Sequence, residues 1–358
     1  MDESVSSEFD LNKLVRKEVL DYVFENLHKI DFDKNESAIS ADNIQVGDSL
    51  FSPALREFPS IKKSKLTAAV SKIKGIPQNN ILVGSDTEHF FDLFIRCFCN
   101  PGKDNIISFP NGDDKLSKLA LLHTINHQEI PLNDYHEIDL DKLSDSIDES
   151  TKLIFLSSPN SATGKIISLE ELELLVNNFQ GLVIVDESFV NFSRSRSFIR
   201  ELLEYPNLFI LQSLSQAWEL AGLGLGFLFG GESVLKILQV VSNPSQVNTL
   251  TENYSSEVLL EFPKVNERIS KIVSLRNKLI TELSSLTCVK RVFNSDANFV
   301  LVEFEGPWDI YPVLMRSNVS VVDFSKNKNF PNCLQIKINA DFQIQEVIEI
   351  LRQVKIKI

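Results

Sequence analysis

KLIFLSSPNSATGKIISLEELELLVNNFQGLVIVD, residues 152–186, is the stretch that decides the fold. It opens with KLIFL (152–156), a short and continuously apolar run, and passes through a helical pattern at 168–178. It closes on LVIVD (182–186), a second apolar run. Two short apolar strands joined by a helical crossover are the unit of a parallel sheet covered on both faces. The same alternation continues outward. NIISF (105–109) precedes it, LFILQ (208–212) and LGFLF (225–229) follow, and helical patterns at 113–122 and 196–204 fill most of the gaps. Sheets of this kind place ligands at the carboxyl ends of their strands, where loops lead into helices. The polar loops after these runs are therefore where chemistry is to be sought.

Beyond the sheet, Leu11, Leu14, Val15, Val19, Leu20, Val23, Phe24 and Leu27 space like one face of a helix. Residues 61–75 read as a helix closed by Gly75, with Pro77 beyond it as a stop. From 247 to 286 the pattern is strongly helical. After Cys288 it becomes a small α+β unit, with strands near 298–304, 319–323 and 333–338 and a last helix near 341–355. The expected fold class is α/β. An N-terminal helical segment (1–45) precedes a large domain with a mostly parallel central sheet flanked by helices (46–285). A small C-terminal α+β domain (286–358) follows. There are no internal repeats and no low-complexity linkers.

The 358 residues, 43% of them hydrophobic, suffice for a large core. Charged residues make up 24% and are spread along the chain, which excludes wholesale disorder. A formal net charge of −13 argues against nucleic acid as a partner. No run of 18 apolar residues exists, so no membrane span is expected. The acidic start MDESVSSEFD lacks the basic and apolar regions of a signal peptide, and the cytoplasm is the expected location. Cys97, Cys99, Cys288 and Cys333 have no metal-ligand spacing. The first two lie in the apolar FDLFIRCFC (91–99), where free cysteine packs as a small hydrophobe. His123 and His127 are four apart, but the residues around them read as a turn entering a strand, so no zinc site is expected.

The strand-end loops carry a more specific signal. SLSQAWELAGLGLGF (213–227) is similar to a segment S-x-S-K-A-W-G-L-A-G-L-R-L-G-Y, and SSPNSATGK (157–165) to S-P-N-N-P-T-G. VIVDESFVNF (183–192) is similar to V-V-D-E-A-Y-I-D-F, and CLQIKIN (333–339) to C-L-R-I-T-V-G. KIKGIPQNNILVG (72–84), FCNPGKDNIISFP (98–110) and SDANFVLVEF (295–304) match as well, without being catalytic. These are signatures of the histidinol-phosphate aminotransferase group within the class I/II aminotransferases, which the chain resembles in unbroken order from about residue 40 to 355. The resemblance implies the fold-type-I aminotransferase architecture, pyridoxal phosphate as the family cofactor, and a homodimer with active sites at its interface.

Set against that family's site, the scaffold residues match and the chemical ones do not. Transamination needs a lysine amine that holds the cofactor as an imine and then shuttles the α-proton. The family's lysine falls on Gln216, whose amide cannot form an imine. Ser215, Ala217, Trp218 and Gly222 around it match, and residues 205–230 contain no lysine. The arginine that would clamp the cofactor phosphate bidentately falls on Gly224, and the ring that stacks on the pyridine falls on Gly112. The tyrosine that reaches the cofactor phosphate of the other subunit falls on Phe58. The asparagine and tyrosine near the phenolic oxygen fall on Ser161 and Phe189, and the proline after that asparagine on Ala162. The arginine for the substrate carboxylate falls on Gln335, and a second substrate-side arginine is replaced within VDFSK (322–326).

The family's phosphate-cradling turn G-N-G-S-D-E reads Gly84-Ser85-Asp86-Thr87-Glu88-His89. Ungapped, Asp86 replaces a glycine and puts a carboxylate where phosphate would sit, and like charges repel. A shift of one or two residues would instead align Gly84-Ser85-Asp86 with the family's Gly-Ser-Asp. What survives is Asp186, where the family's carboxylate pairs with the pyridinium nitrogen. Ser213 and Ser215 survive near the phosphate position, as do Thr163 and Gly164 in their turn. Asp186 has a second reading, an acid that caps the segment after a buried strand.

The resemblance with these losses implies a homodimeric aminotransferase-like scaffold without transaminase activity. Such a pseudoenzyme would be retained for ligand binding or regulation, with a small-molecule ligand in the cleft and no pyridoxal phosphate. Two alternatives stand beside it. One is an enzyme of altered chemistry in the same cleft, where Asp86, Asp113, Asp114, Asp186 and Gln216 would meet a different ligand. The other is a residual transaminase that binds pyridoxal phosphate noncovalently.

Overall fold

A computed structural model of the chain describes residues 10–26, 64–243, 246–305, 310–315, 321–338 and 341–353. Phe58, Leu27 and the expected boundary at residues 45–46 lie outside the described residues.

Seven strands form the large sheet: β1 (Ile81–Gly84), β2 (Asn105–Ser108), β3 (Asn126–Glu129), β4 (Thr151–Ser157), β5 (Leu182–Asp186), β6 (Leu208–Ser213) and β7 (Gly226–Phe229). Their order is β1-β7-β6-β5-β4-β2-β3. Strands β2 to β6 run parallel, while β7 is antiparallel to both β6 and β1. β2 and β6 are buried at every residue. That explains why their sequences show apolar runs rather than alternation. On one face Ile107, Val183 and Ile210 pack under helices Lys65–Lys74 and Leu169–Asn178. On the other, Ile106, Phe155 and Leu211 pack under helices Thr87–Phe98 and Glu232–Val241. Each fully buried aliphatic side chain contributes about 1.5–3 kcal/mol relative to exposure. Helix Leu169–Asn178 starts on a reciprocal capping box between Ser168 and Glu171, which satisfies two otherwise orphaned amides.

The C-terminal part holds a second, wholly antiparallel sheet of β8 (Val289–Val292), β9 (Phe299–Phe304), β10 (Val321–Asp323) and β11 (Cys333–Lys337), ordered β10-β11-β9-β8. Helix Phe262–Leu283 serves both cores. Val265 and Ile269 enter the large one, and Leu275, Leu279 and Leu283 the small one. Between them Arg276, 1% exposed, donates to Phe192 O at 3.0 Å and Ala297 O at 2.8 Å, tying the two units together.

The architecture is the expected mixed α/β fold, with local differences. β1 and β8 were not expected as strands. β1 is a mostly buried apolar edge strand, ILVG, too short for its run to separate strand from helix, and β8 is an edge strand whose middle residues Lys290 and Arg291 are exposed, so it shows no strand period. The helix expected at 196–204 is a 3₁₀ segment, Phe198–Leu203, whose first amide is held by the buried Glu187 carboxylate at 2.7 Å. The N-terminal amphipathic pattern forms two helices, Leu11–Leu14 and Lys17–Asn26. Val15 and Val23 are buried, but Phe24 is 70% exposed. The four cysteines are free and buried, and burial pushes the Cys97 thiol up to about 12, consistent with packing rather than thiolate chemistry. Among the described residues no three His, Cys, Asp or Glu side chains are placed to hold a metal ion. No described helix is long and apolar enough to cross a membrane.

Candidate active site

The carboxyl ends of β2, β4 and β5 open on a pocket of about 70 Å³, as a doubly wound sheet dictates. Ser108, Ser157 and Asp186, the last residues of those strands, line it together with Ser161, Asp113 and Lys115. Asp186 Oδ1 accepts from Ser188 N at 2.9 Å and Ser188 Oγ at 2.5 Å, so the acid caps the turn that follows its strand. Burial raises its pKa, the Ser188 bonds oppose that, and Asp86 and Asp113 push it further up. Lys115 pairs with Glu88. Partial burial works against its charge, yet Glu88, Asp113 and Asp86 together hold its pKa above the ordinary value.

Helix Thr87–Phe98 points its N-terminus at this region, and its own carboxylates already serve it. Asp86 Oδ1 accepts from Thr87 N at 2.7 Å, and Glu88 lies in the first turn. Asp86 sits at φ 124°, ψ 169°, a conformation essentially reserved for glycine. The backbone therefore favours the ungapped register, in which an aspartate has taken a glycine's place.

The remaining sequence-derived positions scatter. Gln216 is exposed in the segment between β6 and β7, and its Oε1 accepts from Asn298 Nδ2 at 3.5 Å. Arg268 braces that segment by donating to Ala217 O and pairing with Glu219 at 2.9 Å. Ser213 and Ser215 satisfy one another, with 2.8 Å between hydroxyls and 3.0 Å from Ser215 N to Ser213 Oγ. Phe189 lies outside the pocket lining and packs edge-on against Phe299 of the small sheet, ring centroids 5.3 Å apart. Ser161 N donates to Ser157 Oγ at 3.2 Å.

Three features are not legible in the sequence. Gln335, 4% exposed, donates from Nε2 to Ser161 O at 2.8 Å and to Ala162 O at 3.1 Å. The position matching the carboxylate-binding arginine is thus a bridge from strand β11 of the small sheet to the loop after β4. Gly112, matching the stacking aromatic, lies under the ring of Phe324, and a Cβ on it would come within 2.4 Å of Phe324 Cζ. Phe324 was visible only as part of VDFSK, and nothing local pairs it with Gly112. Lys115 follows directly on the GDD run, but its place in the pocket depends on how its helix docks.

A seven-stranded sheet of this order with one antiparallel member, a cleft at its strand ends and a small antiparallel domain packed beside them define a class. The chain belongs to the class I and II aminotransferase family, which residues 25–354 match. Within it the chain is histidinol-phosphate-aminotransferase-like. It is 31% identical over 347 residues to the histidinol-phosphate aminotransferase of Flavobacterium johnsoniae, covering 96% of this chain and 98% of the relative. It is 29% identical over 358 residues to that of Christiangramia forsetii, covering 97% and 99%. Among solved structures, histidinol-phosphate aminotransferase from Clostridium acetobutylicum superposes with a TM-score of 0.76 at 19% identity, over 84% of this chain and 90% of that one. The Sinorhizobium meliloti enzyme in complex with pyridoxal-5'-phosphate superposes with a TM-score of 0.70 at 14% identity, over 94% and 86%. At these identities the structural likeness is one of fold.

Proposed function

We propose that the protein is a pseudoenzyme of this family, a scaffold that binds a small molecule in its cleft without carrying out transamination. Gln216 carries the reading. An amide has no lone pair free to form an imine or to move an α-proton, so the chemical step has no agent. Pyridoxal phosphate fits the residues present poorly. Gly224 and Gly112 supply neither a guanidinium fork nor a stacking ring, and Asp86 and Glu88 already neutralise the helix N-terminus. The two lost contacts are worth about 1.5–3 and 0.5–1.5 kcal/mol, which together correspond to a roughly 30- to 2,000-fold weaker Kd. The buried Gln335 bridge further removes the substrate-carboxylate contact. The four free, buried cysteines suit a reducing compartment such as the cytoplasm.

Absorbance of the purified, dialysed protein tests this directly, and the expectation is no aldimine band. A coupled transaminase assay on wild type and Gln216→Lys, with pyridoxal phosphate added, extends the test. Misplacement by about an ångström costs roughly a hundredfold in rate. The lone lysine is therefore expected to give no turnover from histidinol phosphate or glutamate. Turnover of about one per second or more, an ordinary enzyme rate, would mean that the site is nearly intact and the reading wrong.

A further inference from the structure

The two histidines four residues apart in sequence, for which no zinc site was expected, meet different partners. His123 Nε2 is paired with the half-buried Asp92 at 2.6 Å. His127, on β3, has its Nε2 2.7 Å from Ser108 Oγ and its Nδ1 2.9 Å from Ser117 Oγ. Ser108 is the last residue of β2, is 6% exposed and lines the pocket at the strand ends, whereas Ser117 is exposed on helix Lys115–Leu122. With Nδ1–H donated to Ser117, Nε2 presents its lone pair to the Ser108 hydroxyl. A nucleophile within hydrogen-bond reach of a base that a third group orients is the general arrangement of acyl-transfer sites. Burial holds His127 below the ordinary histidine pKa against the opposing Glu129 charge, so the ring is neutral near pH 7 and able to accept a proton.

We infer that Ser108 and His127 form a nucleophile–base pair that opens on the pocket and accepts short acyl esters. In this reaction Ser108 Oγ bonds to the ester carbonyl carbon as its proton passes to His127 Nε2. The carbon–alkoxide bond then breaks, and the departing alkoxide takes that proton and leaves as alcohol. Water repeats the sequence on the acyl-serine and releases the carboxylic acid. Ser117 is a positioning residue that holds the imidazole. The inference rests on the proposed function only in needing the pocket free of pyridoxal phosphate. Because absorbance reports cofactor and the test below reports serine modification, either can fail without the other.

The probes are methanesulfonyl fluoride and p-nitrophenyl acetate, applied to the full folded chain. The sulfonyl fluoride should add one methanesulfonyl group, with loss of fluoride, and peptide mapping should place it on Ser108. Ser108→Ala should abolish the adduct. His127→Gln should slow both adduct formation and ester hydrolysis by about 10²- to 10⁴-fold, the usual contribution of a positioned base. Should either variant fold poorly, the comparison is made within wild type, where Ser108 must label selectively in native protein and lose that selectivity in urea. No adduct on native protein, an adduct on Ser117 or elsewhere, or a folded His127→Gln labelled at the wild-type rate would each overturn the inference.

Discussion

Replacing Gly112 by alanine tests whether Phe324 truly occupies the position that corresponds to the family's stacking ring. Gly112 has φ +84°, and a Cβ there would stand 2.4 Å from Phe324 Cζ, 2.8 Å from its Cε1 and 3.3 Å from Ala162 Cβ. Two costs follow. A non-glycine residue at positive φ is strained by about 1–2 kcal/mol. Displacing Phe324, which is 6% exposed and packed with Phe330 and Phe293, adds an overpacking cost of about 1–3 kcal/mol. The sum is about 2–5 kcal/mol of lost stability, measured by urea unfolding followed by circular dichroism. A double-mutant cycle with Phe324→Leu separates the terms. With the ring gone, Gly112→Ala should cost only the backbone part, about 1–2 kcal/mol, leaving a coupling of about 1–3 kcal/mol. A cost below about 0.5 kcal/mol, within the range of an ordinary surface substitution, or the same cost in both backgrounds, would show that Phe324 does not cover Gly112. The account of a sealed aromatic position would then fall.

Asp86→Gly should stabilise the protein by about 1 kcal/mol. It relieves about 1–3 kcal/mol of backbone strain and like-charge repulsion toward Asp186, less the lost cap and the chain entropy of glycine. Asp86→Ala, which keeps a Cβ, should not stabilise, and equal melting temperatures for the two variants would refute the strain. Burial, with Asp92 opposing and Arg96 assisting, lowers the His89 pKa to about 4. The unfolded chain, at about 6.5, therefore binds the proton first, and stability is lost as pH falls from about 6.5 to 4. Discounted for partial exposure, this loss is about 1–2 kcal/mol. His89→Gln, which can still meet Ser242 and Gln246, should shed this part of the acid sensitivity, so unchanged pH dependence between the two proteins would contradict the assignment. Leu250 and Tyr254, 37% and 46% exposed on helix Thr249–Val258, which packs on helix Lys65–Lys74, and Leu260 and Phe262, 75% and 42% exposed just after it, offer apolar surface suited to a second copy. Light scattering should give twice 40.5 kDa at micromolar concentration, and Leu260→Asp should shift the mass toward one chain. A wild-type mass of one chain would remove the dimer.

How much of this could be read without coordinates depends on the range of the interaction involved. The strands β2, β4, β5 and β6, the capped crossover helix at 169–178 and the substitution at Gln216 are written locally. A buried parallel strand needs a continuous apolar run, an amphipathic helix a 3.6-residue period, and a motif a fixed order of residues. The N-terminal stripe misled at Phe24, because one face of a helix can be only partly covered. The edge strand β8 left no signal, since a half-exposed edge needs no apolar run, and β1 offers only the three apolar residues Ile81, Leu82 and Val83, too short a run to separate strand from helix. Other features were decided only when distant elements met. Gln335 bonds to Ser161 across 174 residues, Phe324 fills the space above Gly112, and Ser108 meets His127 across neighbouring strands. Even the register at Asp86 became legible only through its φ of 124°. Sequence alone thus determined the scaffold and the missing amine, because periodicity and motif order are properties of neighbouring residues. Sheet order and the docking of the small domain decided which polar groups face one another in the cleft, because hydrogen bonds and steric exclusion act between atoms that chain position does not bring together.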